Sequence, residues 1–173
     1  CQKLQSFLEF HNLPHEVVFG LPDQGPLNKI PFVSYNEESL GDSELIIQRL
    51  AKDHDIDISL TPMAQVWQRT LEEHLYWVMV YSRWMDDDAW EILKVAFFSP
   101  VPKALRGIIS RKARKLAKQN LYSQGVGRLS AEDVYQRGNK DLNALNDYLS
   151  DSKFIGSNTL CHVDFFAWAL LRN

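Results

Sequence analysis

The run Lys29-Ile30-Pro31-Phe32-Val33 reads as a short apolar strand that opens with a proline after a β-branched residue. A tight hairpin at Asn36-Glu37-Glu38 follows, and then Asp42 and Ser43 stand at the mouth of an amphipathic helix. Strand, turn and capped helix in this order restrict the chain to folds in which a hairpin feeds a helix. Proline has no N–H and tolerates a cis bond far better than other residues. A cis Ile30–Pro31 bond is expected here, because it turns the backbone of Ile30 outward to pair with a peptide-like ligand. The first N–H groups of the helix at Ser43 point to the same place and attract a carboxylate. Taken singly, Pro31 can simply start an edge strand, and Asp42 or Ser43 can simply cap a helix. Their order and spacing together describe a small-anion site.

Around this unit the pattern is α/β first and all-α afterwards. Leu4, Phe7, Leu8 and Phe10 lie near one helical face between Lys3 and His11, and Asn12-Leu13-Pro14 ends that helix. His15 to Phe19 predicts a strand, Gly20 to Asn28 a loop, Phe32 to Tyr35 a second strand and Ser39-Leu40 a third. Ser43 to Asp53 predicts a helix with Ile46, Ile47 and Leu50 inward, and the charged stretch Lys52 to Leu60 a linker. Thr61-Pro62 pairs a capping hydroxyl with proline at the first helical position and starts a long helix to Met85. Further helices are predicted over Ala89 to Phe98, Lys103 to Asn120, and from Ser130, with Asp133 as capping partner, to Leu149; the last starts near Cys161. Such segregation predicts two domains, 1–53 and 61–173, rather than one alternating sheet.

Composition narrows the function classes. At 173 residues and 45% hydrophobic content a sizeable core is possible, and a net charge of −3 gives a bulk field that favours neither polyanion nor polycation. Cys1 and Cys161 are far apart, which argues against a disulfide scaffold and fits a reducing, cytoplasmic setting. The longest apolar run, Leu75 to Trp84, is broken by Ser82 and Arg83 and is too short to cross a membrane. The histidines are scattered without metal-ligand spacing, so no metal is expected, and neither a phosphate loop nor a nucleophile elbow is present. Lys103, Arg106, Arg111, Lys112, Arg114, Lys115 and Lys118 form a basic run with no acid nearby, a pattern that can bind anionic lipid or nucleic acid. One aromatic, Tyr122, follows it, so base stacking is poorly served. The preferred reading is a solvated helix lying over Asp86-Asp87-Asp88, with neither nucleic acid nor membrane as a partner.

Ile30-Pro31 followed by Asp42-Ser43 resembles the glutathione site of the glutathione transferase superfamily. The stretch Cys1-Gln2-Lys3-Leu4-Gln5-Ser6-Phe7-Leu8 resembles the first helix of that fold in the metaxin and failed-axon-connections branch. Leu71-Glu72-Glu73-His74-Leu75-Tyr76-Trp77, with Tyr81-Ser82-Arg83-Trp84, is similar to the long helix of that branch's helical domain. Tyr122 to Arg128 and Ser130 to Tyr135 are similar to it as well, so the resemblance covers nearly the whole chain.

The resemblance implies a thioredoxin-like α/β N-terminal domain and an all-α C-terminal domain, the glutathione transferase fold, truncated at both ends. A first strand and the catalytic residue are then expected upstream of Cys1, and closing helices downstream of Asn173. It also implies glutathione as co-substrate. Ile30, beside Pro31, would bond the cysteinyl backbone, Asp42 would face the γ-glutamyl amine, Ser43 its carboxylate, and Lys29 another carboxylate. Cys1 matches the second cysteine of a Cys-x-x-Cys arrangement and reads first as a small residue packed in a helix's first turn. The long helix would border a second-substrate pocket for a flat apolar electrophile, with Glu73, Tyr76, Val80 and Arg83 as candidates and His74 as a further orienting group. The plainer reading makes Trp67, Trp77 and Trp84 core and His74 an interfacial histidine, while Arg69 and Glu73 can pair at i,i+4. Asp164 matches the acid of a late helix cap, but Cys161 stands where a hydroxyl is usual. The activity implied is conjugation or reduction of an electrophile with glutathione, in a chain that can form a homodimer. The alternative is a non-catalytic metaxin-like protein-interaction module, since metaxins keep the fold and serve protein import at a membrane.

Overall fold

The expected hairpin forms. Strand β1 (Phe32–Tyr35) runs antiparallel to β2 (Glu38–Gly41), with Phe32 opposite Gly41 and Tyr35 opposite Glu38. Asn36 and Glu37 make the two-residue turn with both φ angles positive, 50° and 66°, the turn whose twist matches that of the strands. These features belong to a computed structural model that describes residues 2–18, 20–156 and 158–172. Cys1, expected in the first turn of the opening helix, and Phe19, expected at a strand end, lie outside the described residues.

Helix α1 (Gln2–Phe10) and helix α2 (Ser43–Asp53) supply one core. Leu4 and Phe7 from α1 meet Ile46, Ile47, Leu50 and Ala51 from α2, and Val33, Tyr35 and Leu40 of the hairpin close over them. The inward residues of α2 are those its periodicity predicts. Of the strand expected over His15 to Phe19, the described residues 15–18 carry no strand pairing, and Val17 and Val18 are exposed. A strand exists only by pairing, and among the described residues β1 and β2 pair only with each other.

The chain divides into two compact units, one of residues 1–67 and 152–173, the other of residues 68–151. The closing segment thus belongs with the opening one. Its helix α8 (His162–Leu171) packs on α1, where Phe165 stacks near Phe7 (6.4 Å) and Phe10 (5.3 Å). The doubtful cap of α8 is supplied by Asp164 rather than by a hydroxyl. Its carboxylate accepts from the Cys161 amide (2.9 Å) and from the Ile155 amide (2.8 Å), so one acid fixes both the helix start and the loop before it. Asp164→Ala removes a charged acceptor from two half-buried donors and is expected to cost about 2–4 kcal/mol of unfolding free energy. Urea titration checks this; an unchanged midpoint would remove Asp164 from that role.

Thr61 caps helix α3 (Pro62–Thr70) by accepting from the Ala64 amide at 3.1 Å, as its sequence predicts. The long helix is not uniform. A π-helical turn, Leu71–Leu75, separates α3 from α4 (Tyr76–Met85), with the Tyr76 amide reaching back to the Leu71 carbonyl.

The second unit continues with α5 (Asp87–Phe98), α6 (Lys103–Gln124) and α7 (Ala131–Asp151). Asp86 caps α5 through the Ala89 amide, and Ser130 with Asp133 caps α7. The core gathers Tyr81, Leu121, Val126 and Val134, with Trp77, Val80 and Trp84 packed against it. Gly138 of α7 lets that helix approach α4: a Cβ there would stand 2.8 Å from Val78. Of the seven cations of the basic run, Arg114 is the one that reaches the acidic corner. It bonds Asp87 (2.6 Å) and the Trp84 carbonyl (2.9 Å) while lying over the Trp90 ring. Among the described residues the solvated helix expected over Asp86-Asp87-Asp88 meets that run through the Arg114–Asp87 ion pair.

Candidate functional site

The hairpin register decides what meets at its open end. Because Phe32 faces Gly41, the next residues outward, Pro31 and Asp42, flank the same end of the ladder. Lys29 and Ile30 lead into it and are exposed, and Ser43 begins α2. The Ile30–Pro31 bond is cis, as expected. The loop before it closes tightly: a Cβ on Gly25 would lie 2.8 Å from the Lys29 carbonyl and 2.8 Å from the Phe32 ring, so only glycine fits.

Asp42 sits at φ 69° and ψ 125°, a backbone region that costs an L-residue about 1–3 kcal/mol and persists only where the surroundings impose it. Its Oδ1 accepts from the amides of Glu44 (2.9 Å) and Leu45 (3.3 Å). The helix cap is therefore Asp42, with Ser43 as the first helical residue. Among the described residues the Ser43 hydroxyl has no partner. One carboxylate oxygen of Asp42 is committed to the helix, and the hydroxyl beside it is not.

Next to Ser43 stands a group that the sequence reading missed. Glu44 Oε2 pairs with Lys3 Nζ of α1 at 2.8 Å, and Oε1 lies 3.3 Å from His162 Nε2 of α8. The side chains of Lys3, Glu44 and His162 are 5%, 20% and 3% exposed. Burial alone would raise the Glu44 carboxyl, but the contacts from His162 and Lys3 outweigh it and hold it well below the usual carboxylate range. The triad ties the start of α2 to α1 and α8. Its sequence signal was Lys3 itself, a lysine on the apolar side of a short helix, one residue before Leu4 and four before Phe7.

The same unit holds an open pocket of 360 Å³ lined by Phe7, Phe10, Ser59, Thr61, Cys161 and His162 among others; none of the candidate residues lines it. Burial pushes the Cys161 thiol up to about 11, so it is no nucleophile at neutral pH. Among the described residues no group of three or more histidine, cysteine or acidic side chains could hold a metal.

The second-substrate candidates lie on the long helix. Glu73 is exposed within the π turn, Tyr76 is partly exposed with its ring edge-on to Trp77 at 5.5 Å, and Val80 packs against the core. Burial pushes the Tyr76 hydroxyl up against the opposing charge of Arg83, and burial lowers Arg83. His74 Nδ1 pairs with Asp141 of α7 and is thereby a satisfied histidine. Arg69 reaches Glu72 at 3.6 Å, not Glu73 as its spacing predicts, because residues entering a π turn no longer align at i,i+4.

A model of the glutathione S-transferase N-terminal domain matches residues 1–89. The chain belongs to the glutathione S-transferase family. An isoprene-epoxide–glutathione S-transferase of Rhodococcus sp. (strain AD45) is 31% identical over 188 positions, which cover 99% of this chain and 77% of that protein. The Failed axon connections protein of Drosophila melanogaster is 25% identical over 192 positions, covering 99% of this chain and 45% of that protein. No solved structure matches significantly. The α/β unit that carries Pro31, Asp42 and Ser43 is accordingly the thioredoxin-like part of a glutathione S-transferase fold, and the helices that follow belong to its helical part. Within this glutathione S-transferase relative, the hairpin brings Lys29, Ile30, Pro31, Asp42 and Ser43 to one end, while Glu73, Tyr76, Val80 and Arg83 follow one another along the long helix.

Proposed function

We propose that this chain binds glutathione at the mouth of α2 and conjugates it to a small apolar electrophile. The observation that carries the reading is the uncommitted Ser43 hydroxyl at a helix N-terminus, held beside a constrained Asp42 in a glutathione S-transferase family chain. A carboxylate of the tripeptide would take the Ser43 hydroxyl and the first α2 amides. Its ammonium would face the carboxylate of Asp42, and the exposed backbone of Ile30 would pair with its peptide groups, with Lys29 close to a second carboxylate. In conjugation with an epoxide the sulfur of the bound thiolate attacks a ring carbon, the C–S bond forms as that carbon's C–O bond breaks, and the alkoxide released takes a proton from solvent. An epoxide is the electrophile class supported by the name of the Rhodococcus relative. Glu73, Tyr76, Val80 and Arg83 are proposed as electrophile contacts on chemistry: Tyr76 keeps its proton and can donate it in a hydrogen bond, and Arg83 is a cation. A cytoplasmic homodimer is the setting proposed for this activity.

Calorimetric titration with glutathione tests the reading, alongside thiol loss in the presence of a small alkyl epoxide. Saturable binding at millimolar or lower glutathione, with epoxide-dependent thiol loss, is expected. Absence of binding at millimolar glutathione overturns it. The metaxin-like interaction module then becomes the preferred reading, one with which the Failed axon connections match is compatible.

A further inference from the structure

Helix α6 has two faces with opposite needs. Its inner side is settled, since Ser110 and Leu121 are buried and Ala113 packs against the cluster of Trp90, Leu93 and Phe98. On the opposite side Leu105, Ile108, Ile109 and Leu116 are 50%, 62%, 41% and 58% exposed. Their spacing of three, four and eleven from Leu105 puts them on a single stripe along the helix. A soluble helix that must bury one face does not need a second aliphatic stripe facing water, and contiguous exposed aliphatics mark an interaction surface.

The charges around the stripe say what kind. No acid occurs from Val95 to Ala131, although the whole chain carries a net charge of −3. Arg114 is spent on Asp87, and Arg106 on the carbonyls of Ser99 and Val101. Lys103, Arg111, Lys112, Lys115 and Lys118 make no ion pair among the described residues. Lys112 falls within the aliphatic stripe, Arg111, Lys115 and Lys118 run along one flank of it, and all four are exposed. Aliphatic residues that seek an apolar phase, bordered by lysines that seek phosphate, form the pattern of a helix lying flat in a lipid headgroup layer.

We propose that the outer face of α6 docks this protein onto the surface of an anionic lipid bilayer. This is independent of the glutathione reading and departs from the expectation of a merely solvated helix. The aliphatic stripe enters the headgroup boundary while Lys112 and Lys115 meet lipid phosphates and anionic headgroups. The attachment is peripheral, as no helix among the described residues is long and apolar enough to cross a membrane. A second copy of the chain fits less well, because a two-fold contact through this face would set five unneutralised cations against five more. Nucleic acid fits less well too: it would leave the stripe in water, and the nearby aromatic, Tyr122, already lies under Arg128 at 4.7 Å.

Co-sedimentation of the full chain with vesicles tests the proposal. Binding is expected to phosphatidylcholine vesicles containing phosphatidylserine, to weaken with added salt, and to be lost on pure phosphatidylcholine. Lys112→Ala with Lys115→Ala is expected to weaken partitioning about twentyfold, at about fivefold for each cation removed from the surface layer. Ile108→Ser with Ile109→Ser, on exposed sites that carry no core contact, is expected to weaken it about tenfold or more. Circular dichroism of both variants confirms that the helix is intact. No vesicle binding, or equal binding to the uncharged vesicles, overturns the proposal. So does binding that survives the isoleucine changes and is matched by a DNA duplex at the same salt. A dimer that Ile108→Ser dissolves, without vesicle binding, assigns the face to a second copy and also overturns it.

Discussion

Glu44→Gln is expected to lower the unfolding free energy by about 3 kcal/mol, because removing one member of a buried ion pair takes the counter-charge from the group left behind. The cost falls on Lys3, whose ammonium loses its carboxylate in a side chain that is 5% exposed. The pH dependence has a definite sign. A carboxyl whose folded pKa lies below its unfolded value stabilises the fold above the unfolded value, about 4.3, and that stabilisation drains as pH falls toward the folded one. Wild-type protein should therefore lose stability below about pH 4.5, and Glu44→Gln should show a shallower loss over the same range because part of it is already gone at neutral pH. Urea titrations at neutral and acid pH measure both. Adding Lys3→Met to Glu44→Gln should restore part of the loss, since a pair replaced by apolar groups costs less than a broken one. A single variant as stable as wild type at neutral pH would show that the triad is only a contact.

Ser43→Ala is expected to weaken glutathione binding about ten- to a hundredfold, the affinity equivalent of one charge-assisted hydrogen bond of about 1.5–3 kcal/mol. Its effect on folding should be small, within about 0.5 kcal/mol, because Asp42 and not Ser43 caps α2. Asp42→Asn separates charge from geometry. Asparagine also caps helices and tolerates positive φ, so the fold should hold while the partner of the ligand's ammonium is lost. Binding should fall to a similar degree. Lys112→Ala, on α6, should bind glutathione like wild type. Calorimetry reads all three, and unchanged affinity in both the Asp42 and Ser43 variants would place the ligand elsewhere.

Local signals were the legible ones. Asn36 and Glu37 make the turn, Thr61-Pro62 and Ser130 with Asp133 open helices, and Ile46, Ile47 and Leu50 face inward, because each depends on residues a few positions apart. The family match was legible through Ile30-Pro31 and Asp42-Ser43, which a two-residue turn brings to one end of a hairpin. What escaped depends on distant partners. Val17 and Val18 have strand character and, among the described residues, no strand beside them. Glu44 looks like an ordinary acid in a first helical turn until Lys3 and His162 arrive from residues far away in the chain. The aliphatics of α6 make only a modest hydrophobic face in the sequence, and the fold shows that the other side of the helix is the one that packs.

The union of residues 1–67 with 152–173 in one unit also sets an order of assembly. Residues 68–151 are contiguous, so this unit can complete itself while the chain is still being made. The segment made before it cannot: α1 waits for α8, and the Glu44 carboxylate waits for His162. The hairpin and α2 therefore emerge before residues 68–151 yet lock after them, once the long loop between α1 and α8 has closed. During that interval Phe7, Ile46 and Ile47 lack their full cover, which makes the N-terminal segment the part of this protein most exposed to chaperones and to mispairing during synthesis.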